Sequence, residues 1–544
     1  MRRLFLLISF SALFISGTVT AQPLERPKLV VGIMVDQMRW DYLYRFYDRY
    51  AADGFKRMLN QGYSCENTFI PYTPTYTAAG HTCVYTGSVP AIHGIIGNNW
   101  YRRDIKRGWY CTEDSTVVSV GSTSSAGKMS PRNMLTTTIT DELRLATNFQ
   151  AKTIGIALKD RGAILPGGHA ANAAYWFDNA TGGWISSSYY MNELPEWVKQ
   201  LNAKKLPDQY LAQDWNTLYP INTYKQSTAD DKPYEGKISG EDNSFPHTTS
   251  KITSGKYESF RATPYGNTFT FDMAKAAVEG EKMGQRGITD FLAISFSSPD
   301  YIGHAFGPNS IEVEDNYLRL DRELASFLKY LDTKIGKGQY LVFLTADHAV
   351  AHVPGFMQEH KIPAGIFDDE EIRKWINERA EKKFGVKGAI ERVINYQLFF
   401  NFPAIEAMTR ETKTEFDIFK RWLITELGTH PAIMSAFDLH EIGEAPIPAK
   451  IREMVRNGYN QKLSGDIQFI FNPQWFDGGK TGTTHGAWNP YDSHIPLLWF
   501  GWKIRPGRTN REVYMTDIAP TVAALLRIQM PNGTIGEVIT EITK

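Results

Sequence analysis

Cysteine is scarce: Cys65, Cys83 and Cys111 are the only three in 544 residues, and no Cys-x-x-Cys occurs. A thiolate zinc site is thereby excluded, and at most one intramolecular disulfide can form. Cys65 with Cys111 is the expected pair, since Cys83 follows Thr77 on a presumed helix and is expected to be buried. Charge of one sign is also missing. Lys and Arg number 59, Asp and Glu number 59, and the formal net charge is zero. That balance gives no electrostatic case for nucleic-acid or anionic-membrane binding, so attraction for an anionic substrate has to be local. Long apolar runs are absent beyond the first residues. Met1-Arg2-Arg3 precedes an apolar run from Leu4 to Ile15, and Val19-Thr20-Ala21 offers a cleavage site. This is the pattern of a signal peptide over residues 1–21, and a permanent anchor would need about 20 apolar residues. The expected mature chain is soluble, without a membrane span, and periplasmic or secreted.

What remains is an ordinary globular composition, 42% hydrophobic and 22% charged, long enough for one large core with insertions. The stretch around which the chain is organised is Pro71-Tyr72-Thr73-Pro74-Thr75-Tyr76-Thr77-Ala78-Ala79-Gly80-His81-Thr82. Its prolines bias their predecessors away from helix, so it reads as a loop turning into a helix at Thr77. Helix N-termini carry unpaired N–H groups and collect anions. A hydroxyl there can attack a phosphoryl or sulfuryl group if something makes it a good nucleophile. Most threonines in such a place are only caps.

Short apolar runs recur, each ending in chemistry-bearing residues. Lys28 to Val35 leads to Asp36, Lys152 to Leu158 to Lys159-Asp160-Arg161, Thr289 to Phe296 to Asp300 and His304, and Tyr340 to Ala346 to Asp347-His348. Runs of this kind read as buried parallel strands, and open α/β sheets gather ligands at their carboxyl ends. Helices are predicted over Thr77 to Gly87, Thr136 to Thr147 and Ile311 to Ile335, with a last strand over Ile495 to Phe500 and a last helix over Asp517 to Leu526. The segment from about 165 to 275 is aromatic and irregular, and that from about 351 to 475 is helix-rich and charged. Both read as insertions into one catalytic domain spanning residues 22–544. The expected fold is α/β, a mostly parallel central sheet sandwiched by helices, with cap insertions.

Asp36, Asp300, His304, Asp347, His348 and His485 supply enough oxygen and nitrogen donors for two zinc ions with open positions. Asp300 and His304 share one face by their i, i+4 spacing. Two metals about 3.5–4 Å apart clamp the attacking and leaving oxygens of an in-line displacement, and they would activate Thr77. Each residue alone has a plainer reading: Asp36 as a cap, His304 as a structural histidine, Asp347 as a strand-end turn. Jointly these fail, because all sit where one sheet-edge site requires them. For Lys159 and Arg161 the two readings are a solvated strand end and a phosphate clamp.

The motifs Val35-Asp36, Thr77-Ala78-Ala79-Gly80-His81, His93-Gly94-Ile95-Ile96-Gly97-Asn98, Asp300-Tyr301-Ile302-Gly303-His304, Asp347-His348 and His485-Gly486 resemble the alkaline phosphatase superfamily over nearly the whole mature chain. They look most like the branch holding nucleotide pyrophosphatase/phosphodiesterases and the threonine-nucleophile alkaline phosphatases of flavobacteria. The resemblance implies a phosphothreonine intermediate on Thr77, with Asn98 donating to a phosphoryl oxygen. It implies one zinc on Asp300, His304 and His485, and another on Asp36, Asp347 and His348. Lys159 and Arg161 resemble the monoesterase members, and a monoester has three phosphoryl oxygens free to be addressed. The expected function is therefore a broad phosphate monoesterase acting on small-molecule phosphate monoesters. The alternatives are a nucleotide pyrophosphatase/phosphodiesterase and a non-catalytic zinc-containing surface protein.

Overall fold

Leu29–Val35 is a seven-residue strand with every side chain buried, as expected of an apolar run enclosed on both faces. The computed structural model describes residues 24–238 and 243–543, so the predicted signal peptide lies outside the described residues. Leu29–Val35 pairs in parallel with Tyr340–Thr345 on one side and Asp290–Phe296 on the other. Thr153–Ala157 and then Ala173–Asp178 continue the parallel series. Beyond Tyr340–Thr345, Leu497–Gly501 pairs antiparallel to it, Tyr63–Phe69 pairs antiparallel to Leu497–Gly501 and so runs with the parallel series, and Gly507–Tyr514 adds to Tyr63–Phe69 in parallel.

Register decides where the ends fall. Met34 faces Thr345 and Ser295, and Ala157 faces Ser295. The residues just beyond these pairs, Asp36, Lys159, Ser297 and Asp347, therefore emerge together at one edge of the sheet. Helices Thr77–Thr86, Asp160–Gly167 and Ile518–Leu526 form one group, and Tyr265–Gly280 with Ile311–Leu331 forms a second. Between them lies a core that includes Trp499, Phe343, Phe291 and Tyr85, all 0% exposed. Full burial of side chains of this class stabilises by about 1.5–3 kcal/mol each.

Three sequence expectations change. The aromatic segment from about 165 to 275 is not only a cover. Its strands Ala173–Asp178 and Gly183–Ser187 extend the central sheet, and Tyr265–Gly280 packs against it. The continuous apolar run Ala173-Ala174-Tyr175-Trp176-Phe177 is wholly buried, as a fully enclosed strand requires. The segment from about 351 to 475 contains the predicted helices, as Asp369–Phe384 and Phe416–Leu427, but also a four-stranded sheet. That sheet and those helices share their own apolar cluster, with Ile376, Phe419, Leu423 and Phe469 inside it. Finally, the three cysteines are free and buried, so Cys65 and Cys111 form no disulfide. Cys65 lies in the strand Tyr63–Phe69 within the main core, whereas Cys111 belongs to a separate cluster with Ala78, Ile95 and Trp100.

Candidate active site

Thr77 is the first residue of the helix Thr77–Thr86. Tyr76 before it is extended (φ −110°, ψ 153°), and the helix ends at Gly87 in the left-handed region (φ +64°). The helix can approach the sheet edge because residue 80 is glycine: a Cβ there would overlap the Asp347 carbonyl. Gly80→Ala is accordingly expected to destabilise the protein by about 1–3 kcal/mol through overpacking. It should also lower activity by displacing Thr77, and thermal melting alongside turnover checks both.

The Thr77 hydroxyl is buried and lies 3.3 Å from His348 Nε2. Asn98 reaches the same helix start from the loop: its Oδ1 accepts the Ala78 N–H at 2.9 Å. That bond fixes the amide and leaves its NH₂ donors for another acceptor.

Asp36, Asp300, Asp347, His348 and His485 are all buried, and the His304 side chain is one-third exposed. The helix Ser298–Phe306 puts His304 Nε2 3.1 Å from Asp300 Oδ1, as the i, i+4 spacing predicts. His485 Nε2 lies 3.7 Å from the same oxygen and His348 Nε2 4.0 Å. His348 Nε2 is also 3.5 Å from Asp36 Oδ1 and 3.4 Å from Asp347 Oδ2. Two donor groups result, Asp300 with His304 and His485, and Asp36 with Asp300 and His348. Asp347 adjoins the second group through His348.

The donors fit metal cations. Each histidine has its Nδ1 on a backbone carbonyl: His304 on Thr483 at 2.7 Å, His485 on Thr75 at 2.6 Å and His348 on Ala349 at 3.0 Å. Such bonds fix the tautomer and leave the Nε2 lone pair free for a ligand bond. Burial, with the His348 and His304 imidazoles alongside, holds His485 well below the usual histidine range. Burial also lowers His348. Among the described residues, Asp36 Oδ1 and Asp347 Oδ2 are buried without a hydrogen-bond partner. Burial, with Asp300 and Asp347 beside it, raises the Asp36 carboxyl well above the usual carboxylate range. Three buried carboxylates this close call for cations to offset them.

Lys159 and Arg161 are not at a solvated strand end. Lys159 is 4% exposed, and its ammonium donates to Asp36 Oδ2 at 2.7 Å and Asp300 Oδ2 at 2.5 Å. With three donors and two used, one remains. Arg161 is half-buried; its guanidinium donates to the Tyr110 hydroxyl at 3.0 Å, and Tyr110 in turn donates to Asp160 at 2.8 Å.

Sequence reading gave no role to several groups that shape the site. His81 holds the Thr77 carbonyl at 2.8 Å and Ser295 at 2.8 Å, with Asp347 Oδ2 3.3 Å away. From the 351–475 segment, the turn residues Asn395 and Tyr396 (φ +56° and +64°) reach inward. Asn395 donates to the Asn99 carbonyl at 2.8 Å and Tyr396 to the His485 carbonyl at 3.3 Å. Gln37 bridges two of the carboxylates. Only its place after Asp36 could have drawn attention to it.

Comparison with known proteins places the chain in a family. The family model for type I phosphodiesterase / nucleotide pyrophosphatase matches residues 30–491. Alkaline phosphatase PhoV of Synechococcus elongatus is 53% identical over 97% of this chain and 95% of its own. Alkaline phosphatase PafA of Elizabethkingia meningoseptica is 51% identical over 97% of each chain. The crystal structure of wild-type PafA superposes with a TM-score of 0.92, covering 96% of this chain and all of that one. A protein of Myroides odoratus named calcium-transporting ATPase is also 53% identical, over 97% of each chain. Among the described residues, no helix is long and apolar enough to cross a membrane. The chain belongs to the type I phosphodiesterase / nucleotide pyrophosphatase family, within the alkaline phosphatase superfamily and among its PafA-like members.

Proposed function

We propose that the chain is an exported phosphate monoesterase of broad scope, holding two zinc ions and working through a phosphothreonine intermediate on Thr77. The observation that carries this is the Thr77 hydroxyl at a helix N-terminus, 3.3 Å from His348 Nε2 and facing the converged carboxylates and imidazoles. Asp300, His304 and His485 would hold one zinc, and Asp36, Asp347 and His348 the other. Bound there, the two ions would favour the ionised Thr77 hydroxyl near neutral pH and offset charge on the substrate and leaving oxygen.

The chain's own residues do the rest. The Thr77 hydroxyl gives up its proton to solvent, its Oγ forms a bond to phosphorus as the ester P–O bond breaks in line, and the leaving alkoxide takes a proton back from solvent to leave as the alcohol. A water molecule then displaces Thr77 from phosphorus, releasing phosphate and restoring the hydroxyl. The helix N-terminus favours the anion throughout. Asn98, already fixed by the Ala78 N–H, presents its amide donors to one phosphoryl oxygen. Lys159, with one donor unspent, and Arg161, held by Tyr110, address the others. Near-attack placement of this kind is worth more than any single contact.

A phosphodiesterase reading is the alternative, since the family model is named for diester and pyrophosphate cleavage. Lys159 and Arg161 separate the two. A diester has one phosphoryl oxygen capped, so cations aimed at a doubly charged group would be partly idle. Lys159→Ala and Arg161→Ala are each expected to lower kcat/KM for a monoester by about ten- to a hundredfold, as loss of charge-assisted bonds predicts. Diester turnover should fall far less. Equal losses on both substrates in single and double variants would show that the pair holds the site together, and would remove the main support for monoesters.

A further inference from the structure

Gln37 follows the candidate ligand Asp36 and has an unusual backbone, with φ +66° at a non-glycine residue. That conformation costs energy and persists only where the surroundings enforce it. The side chain is 2% exposed. Its two donors go to two different carboxylates. The backbone N–H bonds Asp347 Oδ1 at 3.2 Å, and the side-chain amide Nε2 bonds Asp300 Oδ1 at 2.9 Å. Room for the amide exists because residue 303 is glycine: a Cβ there would overlap Gln37 Oε1.

The consequence for each carboxylate is specific. Asp347 Oδ1 accepts both the Gln37 and the His348 backbone N–H, which turns Oδ2 toward His348 Nε2, 3.4 Å away. Asp347 Oδ2 accepts no well-aligned hydrogen bond among the described residues, with only the His81 and His348 imidazoles 3.3 and 3.4 Å away, so it is the oxygen left to bind a cation. Asp300 Oδ1 is the atom on which His304, His485 and His348 converge. A carboxylate oxygen has lone pairs enough to accept one N–H and still ligate. The amide bond therefore fixes the rotation of Asp300 without using up its ligand capacity. The left-handed backbone at Gln37 is what lets a single residue reach both acids.

We propose that Gln37 is a positioning residue that braces ligands of both metal groups at once, so that its loss weakens zinc binding at both. This rests on the two-zinc reading above. Outer partners of metal ligands typically govern about 10- to 100-fold in metal affinity.

The test compares wild type with Gln37→Gly and Gln37→Glu. Zinc content is measured first. Zinc affinity is then measured by competition with a chromophoric chelator, and melting of the metal-free proteins is followed separately. Gln37→Gly keeps the backbone donor and relaxes the positive φ but removes a buried side chain, so its metal-free Tm is read separately to distinguish a loss of folding from a loss of metal affinity. Gln37→Glu keeps the shape but turns an oxygen toward Asp300. Both variants keep the backbone N–H on Asp347 and lose the amide bond to Asp300, whose carboxylate stands in both donor groups, so they are expected to bind zinc about 10- to 100-fold more weakly at both sites. If Gln37→Gly binds zinc as tightly as wild type, the brace is overturned, whatever its Tm. Weakening at one site only would overturn the claim that both groups are coupled through Gln37. If wild type itself takes up fewer than two zinc ions, the two-zinc reading fails, and this inference with it.

Discussion

Thr77→Ala is expected to lose on the order of 10⁴-fold in kcat/KM for a phosphate monoester, the scale seen when a nucleophile acting in a unit is removed. The variant keeps the helix N-terminus, Asn98, Lys159, Arg161 and all six candidate ligands, so binding should survive. Inorganic phosphate should still inhibit it, with an affinity near that of wild type. Residual turnover would come from water attacking a substrate that is still positioned and charge-compensated. Thr77→Ser keeps the hydroxyl at the same helix position and should stay within roughly tenfold of wild type. It should also trap as a phosphoserine when quenched in acid during turnover, which mass spectrometry reads directly. The Thr77→Ala protein should trap nothing. A Thr77→Ala enzyme within tenfold of wild type would rule out the nucleophile role, whatever the intermediate.

The second large effect concerns the metals. Excess chelator is expected to abolish activity, zinc should restore it, and elemental analysis should find two zinc ions per chain. His485→Ala should do the same to one group without chelator. His485 Nε2 is 3.7 Å from Asp300 Oδ1, and its Nδ1 is fixed on the Thr75 carbonyl, so no other side chain substitutes for it. Stability should follow the metal. A site held at a thousandfold its Kd contributes about 4 kcal/mol to the folded state. Chelation should therefore lower Tm, and more in wild type than in His485→Ala, which has one group less to lose. Buried carboxylates add to the drop: Asp36, Asp300 and Asp347 lie close together, and without cations their mutual repulsion is offset by less charge. Full activity in excess chelator, or one zinc per chain in the untreated enzyme, would refute the assignment.

These residues differ in how they could be found. Asp36 and Asp347 are legible because each directly follows or nearly follows a fully buried strand, and strand ends are where such sheets place chemistry. Asp300 and His304 are legible from helical spacing, and Thr77 from the prolines before it. The supports are not. The Thr75 carbonyl that sets His485 is 410 residues away in the chain, and the Ser295 hydroxyl that meets His81 is 214 away. Nothing in either local sequence encodes such a meeting.

The sequence by itself determined the parallel core and the kinds of side chain at its carboxyl edge. Apolar periodicity and strand-end position are local properties, and a buried parallel strand has few other ways to look. It also determined that no thiolate could be the metal donor. Only the tertiary structure decided that the aromatic segment lends Ala173–Asp178 and Gly183–Ser187 to the central sheet, since a run such as Ala173-Ala174-Tyr175-Trp176-Phe177 fits a cover or a core strand equally well. It alone separated Cys65 from Cys111, placing them in different apolar clusters. It alone seated Lys159 on Asp36 and Asp300 rather than in solvent. And it alone gave Gln37 its two carboxylate partners. The common reason is distance along the chain: packing across hundreds of residues selects among conformations that the local sequence leaves equally open.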